Sequence, residues 1–322
     1  MGETGSVFND TPVLTKKTIF MQNLEFTLQG EGLNRNRQLV SRGQVQGYHN
    51  KPLPVNISGK AKKGDIAGLK KAQYCNLIES LGDYRSRFTI GFEVEKNSLH
   101  RGAVREYELF CGFEQDGSCG YEAVTHILPL VPASTWRNKV FDMMHKASRI
   151  IEDTFSPSNQ KRNGHYTCGG HITLAVDGLD GDDLRKLVRI NSGIVYALFR
   201  NRLNNSYCGY NKRMESYADC TNWHSKYQVA LVKGNCLEFR LPSKFESVKQ
   251  MIRRYELMHE LVDFSVNKPN GSHETFLKGI RPIILSMYNG DQAKTDEILE
   301  LARKFRKFIL TGSAEVEIRQ YL

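Results

Sequence analysis

No stretch of this chain approaches the ~20 consecutive apolar residues of a membrane-spanning helix, so a helical membrane protein is not expected. Its first residues, Met1-Gly2-Glu3-Thr4-Gly5-Ser6, match a loose N-myristoylation pattern that many unrelated chains also match. They lack the basic n-region and apolar h-region of a secretory signal. None of the seven cysteines (Cys75, Cys111, Cys119, Cys168, Cys208, Cys220 and Cys236) forms a C-x-x-C pair, which removes the usual zinc spacing. Dispersed cysteines without an export signal read as free thiols, and a cytoplasmic protein is expected. Cys168 reads as a small buried filler rather than a nucleophile. There is no zinc-finger, RNP or basic-zipper pattern.

Positive charge is present but scattered. The net charge of +10 would suit a nucleic-acid partner. The basic clusters, however, are short: Lys60–Lys63, Lys70–Lys71, Lys161–Arg162, Arg253–Arg254 and Arg303–Lys307. The last falls on an expected helix as a solvated face, and no specific nucleic-acid site is expected. Hydrophobic residues make up 40% of the chain, enough for a packed core.

Two strand-like stretches carry acids on one face. In Gly91-Phe92-Glu93-Val94-Glu95, alternation puts Glu93 and Glu95 together, opposite Phe92 and Val94. In Leu237-Glu238-Phe239-Arg240-Leu241, Glu238 and Arg240 share a face opposite the three apolar residues. Two acids about 7 Å apart on a strand face repel unless solvent or a cation separates them. Carboxylates gathered from several segments are how proteins bind Mg²⁺ and Mn²⁺. Between the two stretches lie Asp116-Gly117-Ser118, a turn signature, and Tyr121–Pro129, a strand-like run with Glu122. Then comes Thr167–Val176, where Gly169-Gly170 allows a close backbone approach and His171 enters a β-branched strand.

This order, G-x-E-x-E, then D-G-S, G-Y-E, C-G-G-H-x-T and E-F-R, resembles the amidoligase family, carboxylate–amine ligases related to glutamine synthetase and glutamate–cysteine ligase. The resemblance spans roughly Thr89 to Asp263. It implies an α+β fold in which a curved, mostly antiparallel sheet forms a glutamine-synthetase-like half-barrel with helices packed on one side. It implies ATP and Mg²⁺ (or Mn²⁺) as cofactors, and small-molecule or peptide carboxylate and amine substrates. The reaction would be amide formation through an acyl-phosphate. Carried over by position, Glu93, Glu95, Glu122, His171 and Glu238 would hold metal. Arg240 would contact the transferring phosphoryl group, for which a planar guanidinium is suited. Asp116 and Ser118 would position substrate or nucleotide. Arg202 matches the arginine at the end of a family helix, with Arg200 as the competing choice. Thr173 stands where the family has a second histidine; it cannot replace an imidazole, though its hydroxyl can still hydrogen-bond to nucleotide. The segment Lys226-Tyr227-Gln228-Val229-Ala230 lacks an asparagine that the family pattern carries.

Three regions are expected. Residues 1–85 are polar and weakly periodic, an accessory arm with short strands at Thr18–Met21 and Leu24–Leu28, an extended Lys51–Pro54 and a helix over Ala72–Leu81. Residues 86–268 form the ligase-like region. Its expected strands are Phe88–Glu95, Arg105–Phe110, Tyr121–Leu128 and His165–Val176, with a hairpin of Tyr227–Lys233 and Cys236–Leu241. Its helices run from Trp136 to Thr154 behind Ser134 or Thr135, from Asp180 to Asn201, and from Ser243 to Val266. Residues 269–322 add helices near Ser272–Tyr288 and Asp291–Leu310, packed on that region. The alternative to an enzyme is a degenerate member of the fold with a structural role. Copies or partners would then be held by the arm.

Overall fold

In a computed structural model of the protein, the described residues are 88–99, 104, 106–116, 118–126, 128–154, 158–162, 165–176, 178–205, 207–208, 222–233 and 236–312. The expected arm, with its strands and helix, lies outside them.

The chain is α+β, with an open sheet in which every strand pair is antiparallel. The strands are β1 (Phe88–Lys96), β2 (Phe110–Asp116), β3 (Gly120–Thr125), β4 (Leu128–Pro129), β5 (Lys161–Arg162), β6 (His165–Tyr166), β7 (Ile172–Val176), β8 (Ala230–Lys233) and β9 (Cys236–Phe239). The main sheet runs β2-β3-β1-β7-β9-β8, with β4 also on β1, while β5 and β6 form a separate pair. The helices are α1 (Thr135–Lys146), α2 (Ser148–Ile151), α3 (Gly181–Arg189), α4 (Gly193–Leu198), α5 (Val248–Asn267), α6 (His273–Met287) and α7 (Gln292–Thr311).

The alternation in β1 sorts the sheet into two faces. Ile90 pairs with Leu174, Phe92 with Ile172 and Val94 with Ala123. Beyond them, Ile172 pairs with Phe239 and Leu174 with Leu237. All of these apolar side chains are buried in one core with the inner residues of the helices. Phe92 meets Phe245 edge-on with ring centroids 5.8 Å apart, and Trp223 meets Phe239 at 5.6 Å. Helix α3 packs on β7, β8 and β9; α5 packs on α1, α3 and α6; and α7 packs on α4 and α6. Burying large side chains at roughly 1.5–3 kcal/mol each makes this layer the main source of stability. The opposite face carries Gly91, Glu93 and Glu95 of β1.

Several boundaries differ from those the periodicity predicts. Arg105–Phe110 is not a strand: residues 106–109 turn, with Phe110 N donating to Tyr107 O at 3.2 Å, and the strand begins at Phe110. Val104 and Leu109 are buried. Ser118 and Cys119 turn between β2 and β3, and Gly120 opens β3 at φ +106. A Cβ there would lie 2.6 Å from Asn97 O, so the hairpin requires glycine. The Tyr121–Leu128 run breaks after Thr125, and His126 N bonds Leu109 O instead of a strand partner. The His165–Val176 run breaks too. Gly169 bridges Ser243, and His171 precedes β7.

The helix from Ser134 divides at Ala147 into α1 and α2. The long helix from Asp180 ends at Arg189 and restarts at Gly193. A Cβ on Gly193 would lie 2.4 Å from Ala302 O, so close packing against α7 sets this break. Ser247, not Ser243, caps α5, its hydroxyl accepting from Gln250 N at 3.2 Å. The caps at Ser134, Asp180, Ser272 and Asp291 form as their residue types predict. The Arg303–Lys307 face is paired rather than simply solvated: Arg303 donates to Glu274 and Glu300, and Arg306 donates to Ile190 O.

Candidate functional site

The polar face of the sheet is a row of buried charged groups whose order follows from strand register. Glu95 on β1 stands opposite Glu122 on β3, and Glu114 on β2 stands opposite Glu122 in turn. On the other side of β1, Gly91 pairs with Thr173 on β7, and Thr173 pairs with Glu238 on β9. Glu93, Glu95, Glu122, His171, Thr173 and Glu238 are all buried. Oxygens of Glu93, Glu95 and Glu122 lie within 4.8 Å of one another, as do ligand atoms of Glu93, His171 and Glu238. Glu93 belongs to both groups. The five residues assigned to metal from their sequence positions therefore meet in one place.

His171 links the acids of β1. Its Nδ1 lies 2.6 Å from Glu93 Oε2, and its Nε2 lies 3.1 Å from Glu95 Oε1. Each ring nitrogen therefore faces a carboxylate oxygen. The loop that carries it is pinned at both ends: Glu93 N donates to His171 O at 3.1 Å, and Gly169 N donates to Glu95 Oε2 at 2.5 Å. The Gly-Gly pair has a steric reason. A Cβ on Gly169 would lie 3.2 Å from both Arg202 Nη2 and His171 Nε2, and 3.4 Å from Glu95 Oε1. One on Gly170 would lie 2.5 Å from Ser243 O.

Cations enter from two directions. Lys233 and Arg240 both donate to the fully buried Glu238, one to each oxygen. Burial pushes the Glu238 carboxyl up, but the charges of Lys233 and Arg240 outweigh it and hold its pKa below the usual carboxylate value. Burial likewise opposes charge on Lys233 and Arg240, and Glu238 reverses that, raising both. Arg202 reaches the same region through the short 3₁₀ turn Arg200–Arg202. Its Nη1 donates to Cys168 O at 2.9 Å, and its Nη2 lies 3.3 Å from Cys208 Sγ. Arg200 points elsewhere, to Glu297 on α7 at 2.8 Å, so of the two arginines Arg202 is the one beside the Gly169 loop.

Buried polar atoms on this face without a hydrogen-bond partner among the described residues include Arg202 Nε, Arg240 Nε, Thr173 Oγ1 and Thr89 Oγ1. Two are donors that can only donate. Orphaned buried donors are uncommon and call for an explanation. An anion held over this face would supply acceptors to such donors. The donor set also fits a divalent cation. Four carboxylates, Glu93, Glu95, Glu122 and Glu238, stand in the row, with Lys233, Arg240 and Arg202 as the permanent cations beside it. Oxygen donors with one imidazole suit Mg²⁺ or Mn²⁺.

Two expected residues are positioned only in part. Asp116 closes β2 opposite Gly120, and Ser118 sits half-buried in the turn that follows. Two residues escaped the sequence reasoning. Lys233 follows from hairpin register, since it pairs with Cys236 and so shares a face with Glu238. Lys96 gives no such signal. It extends from β1 on the apolar face, fully buried, and donates to Ile151 O at 3.0 Å, Asp153 Oδ1 at 2.7 Å and Phe245 O at 3.3 Å. Asp153 also accepts from Lys244 and Ser158. Lys96 thus fastens the end of β1, next to Glu95, to the helical layer behind it. Burial lowers the Lys96 pKa.

No helix among the described residues is long and apolar enough to cross a membrane. Compared with protein-family models and with curated proteins, the chain matches none of them.

Proposed function

We propose that this chain is an ATP- and Mg²⁺-dependent carboxylate–amine ligase with a glutamine-synthetase-like half-barrel site. The observation that carries the reading is the pairing of opposites on one buried face. A carboxylate row able to hold divalent cations lies beside guanidinium and hydroxyl donors that lack acceptors. A carboxylate anion does not approach a triphosphate without neutralisation, and both parts of that task have residues here.

Glu93, Glu95 and Glu122 would hold a divalent cation at one end, and Glu93, His171 and Glu238 a second position. Bound metal would neutralise the phosphate oxygens. Arg240 Nε and Arg202 Nε, fixed in buried positions, would donate to the phosphoryl oxygens as charge develops, and Thr173 Oγ1 would bond the nucleotide. The substrate carboxylate oxygen attacks the γ-phosphorus, and the bond to ADP breaks. The amine then attacks the acyl carbon, phosphate leaves, and one proton is released. The chain's own contribution is to orient, neutralise and exclude water.

A second reading, a scaffold that keeps the fold without the reaction, is favoured by one observation: Glu238 and His171 already find partners within the protein. The residues 1–85 would then serve assembly. The two readings part in one experiment. Mg²⁺-dependent ATP binding and ADP release are measured with mixtures of amino acids and amines, for the wild type and Glu95→Gln. The ligase reading expects saturable Mg²⁺-dependent binding of ATP that Glu95→Gln removes. Absence of binding in the wild type, or equal background turnover in both, would sink it.

A further inference from the structure

Behind the Gly169-Gly170 loop, on the helical side, lies a cavity of about 330 Å³ that the proposed ligase site does not use. Its wall carries Lys249, Arg253 and Arg254 and no acidic residue. Arg254 is the unusual member. It is 4% exposed, its guanidinium sits 4.9 Å from the Phe199 ring and 4.5 Å from the Phe245 ring, and it donates only to neutral acceptors. These are Ser243 O at 2.5 Å, Ser243 Oγ at 3.0 Å and Lys244 O at 3.3 Å. No carboxylate lies within ion-pair distance of it among the described residues. Burial, and then the charge of Arg202, lowers its pKa to about 9. Burying a guanidinium without a counter-charge is costly.

The neighbours carry the same sign. Lys249 is exposed, and its Nζ donates to the neutral Asn289 Oδ1 at 2.7 Å. Arg253 pairs with Glu256 through Nη1, while its buried Nε has no acceptor among the described residues. The apolar part of its lining is Leu198, Phe199, Met287 and the ring of Tyr288, with Phe199 also against the Arg254 guanidinium. The volume is at the small end of ligand pockets, which run from about 300 to 1,000 Å³.

We propose that this cavity is a second binding site, for a small organic phosphate. The phosphoryl group would sit at Lys249 and Arg254, and a compact apolar or planar body would lie against Phe199 and Tyr288. Three cationic side chains with Ser243 and Ser247 beside them offer more donors than the two oxygens of a carboxylate can accept, and a phosphoryl group's three oxygens match them better. The site is separate from the acid row. Gly169 faces His171 and Glu95, whereas Gly170 faces Ser243 and Arg254, whose Nη1 a Cβ there would approach to 3.0 Å.

The test is calorimetric titration of the full chain with phenyl phosphate and with inorganic phosphate. Phenyl phosphate is expected to bind saturably and at least tenfold more tightly than inorganic phosphate. Lys249→Glu, a change at an exposed side chain, should weaken it at least tenfold, and Glu95→Gln should leave it unchanged. Arg254→Met should abolish it where the variant folds. Equal affinity for the two probes would overturn the organic body, leaving free phosphate as the ligand. Unchanged binding in Lys249→Glu, loss in Glu95→Gln, or no saturable binding would overturn the site itself.

Discussion

The two ends of the acid row are balanced in different ways. Glu238 meets Lys233 and Arg240, two permanent cations from its own hairpin and the residue that follows it. Glu95, on β1, meets an imidazole and a backbone N–H and stands opposite another acid, Glu122. Like charges directly opposite across a strand pair are unfavourable, whereas a buried acid with two cations is held firmly in its charged form. One end is therefore built to be complete within the protein. The other end concentrates negative charge where a cation would be welcome. A fold that needed only stability would place apolar residues at both.

The sharpest break in this comparison is expected in activity. Arg240→Lys keeps the charge beside Glu238 and removes the fork of donors, including the orphaned Nε. ATP turnover with a productive carboxylate and amine should fall on the order of 10²- to 10³-fold, as when one preorganised donor is lost. The melting temperature should move little. A variant with wild-type turnover would show that Arg240 serves Glu238 alone.

Stability should separate the two ends next. Lys233→Met leaves the fully buried Glu238 with one cation, and breaking such a pair costs about 3 kcal/mol or more. Glu122→Gln removes a like-charge contact and should change stability by no more than about 0.5 kcal/mol, in the stabilising direction, when no metal is present. Chemical denaturation of both variants measures the difference. Equal losses would mean that the Glu122 end is as internally balanced as the Glu238 end.

Acid should also act on the complete end. Because the folded Glu238 pKa lies below its ordinary value near 4.5, its pairing contributes stability that is fully present above that value. That contribution is lost as pH falls through the depressed folded pKa. Asp153 behaves in the same direction: burial pushes it up, and Lys244, Lys96 and Ser158 together bring it below its usual value. Denaturation midpoints followed downward from pH 5 should fall less steeply in a Glu238→Gln, Lys233→Met double variant than in the wild type. Parallel curves would show that Glu238 does not carry the acid response.

What could be read in advance was the part of the fold written in short-range patterns. The period of two in Phe88–Lys96 and Leu237–Arg240 revealed which acids share a face, and serine and aspartate caps marked helix starts at Ser134, Asp180, Ser272 and Asp291. Long-range contacts overrode such patterns elsewhere. A continuous helical periodicity is interrupted ahead of Gly193, where α7 approaches closely, and the run expected as a strand before Phe110 turns instead over residues 106–109. The site showed the same division. Its acids and His171 announced themselves by spacing, and Lys233 was implied by register. Lys96 could not be found, because a lysine on an apolar strand face is explained only by the carboxylate of Asp153, which lies far along the chain.

Thr173 offers the finest cut between the two ends, since it sits between them, opposite Gly91 on one side and Glu238 on the other. Its hydroxyl is buried, at 1% residue exposure, and has no partner among the described residues. A buried hydroxyl left without a bond costs about 1–3 kcal/mol relative to one that is satisfied. Thr173→Val removes the hydroxyl while keeping the β-branched shape that suits β7. The ligand-free protein should therefore gain on the order of 1 kcal/mol, read as a higher denaturation midpoint. In the presence of saturating Mg²⁺ and ATP that gain should shrink toward zero. A hydroxyl that bonds the nucleotide contributes roughly 0.5–1.5 kcal/mol, so the variant should bind ATP about two- to tenfold more weakly. A variant that is more stable and binds ATP as well as the wild type would mean that Thr173 faces neither ligand nor partner, and the orphaned donors would then have to be explained by the arginines alone.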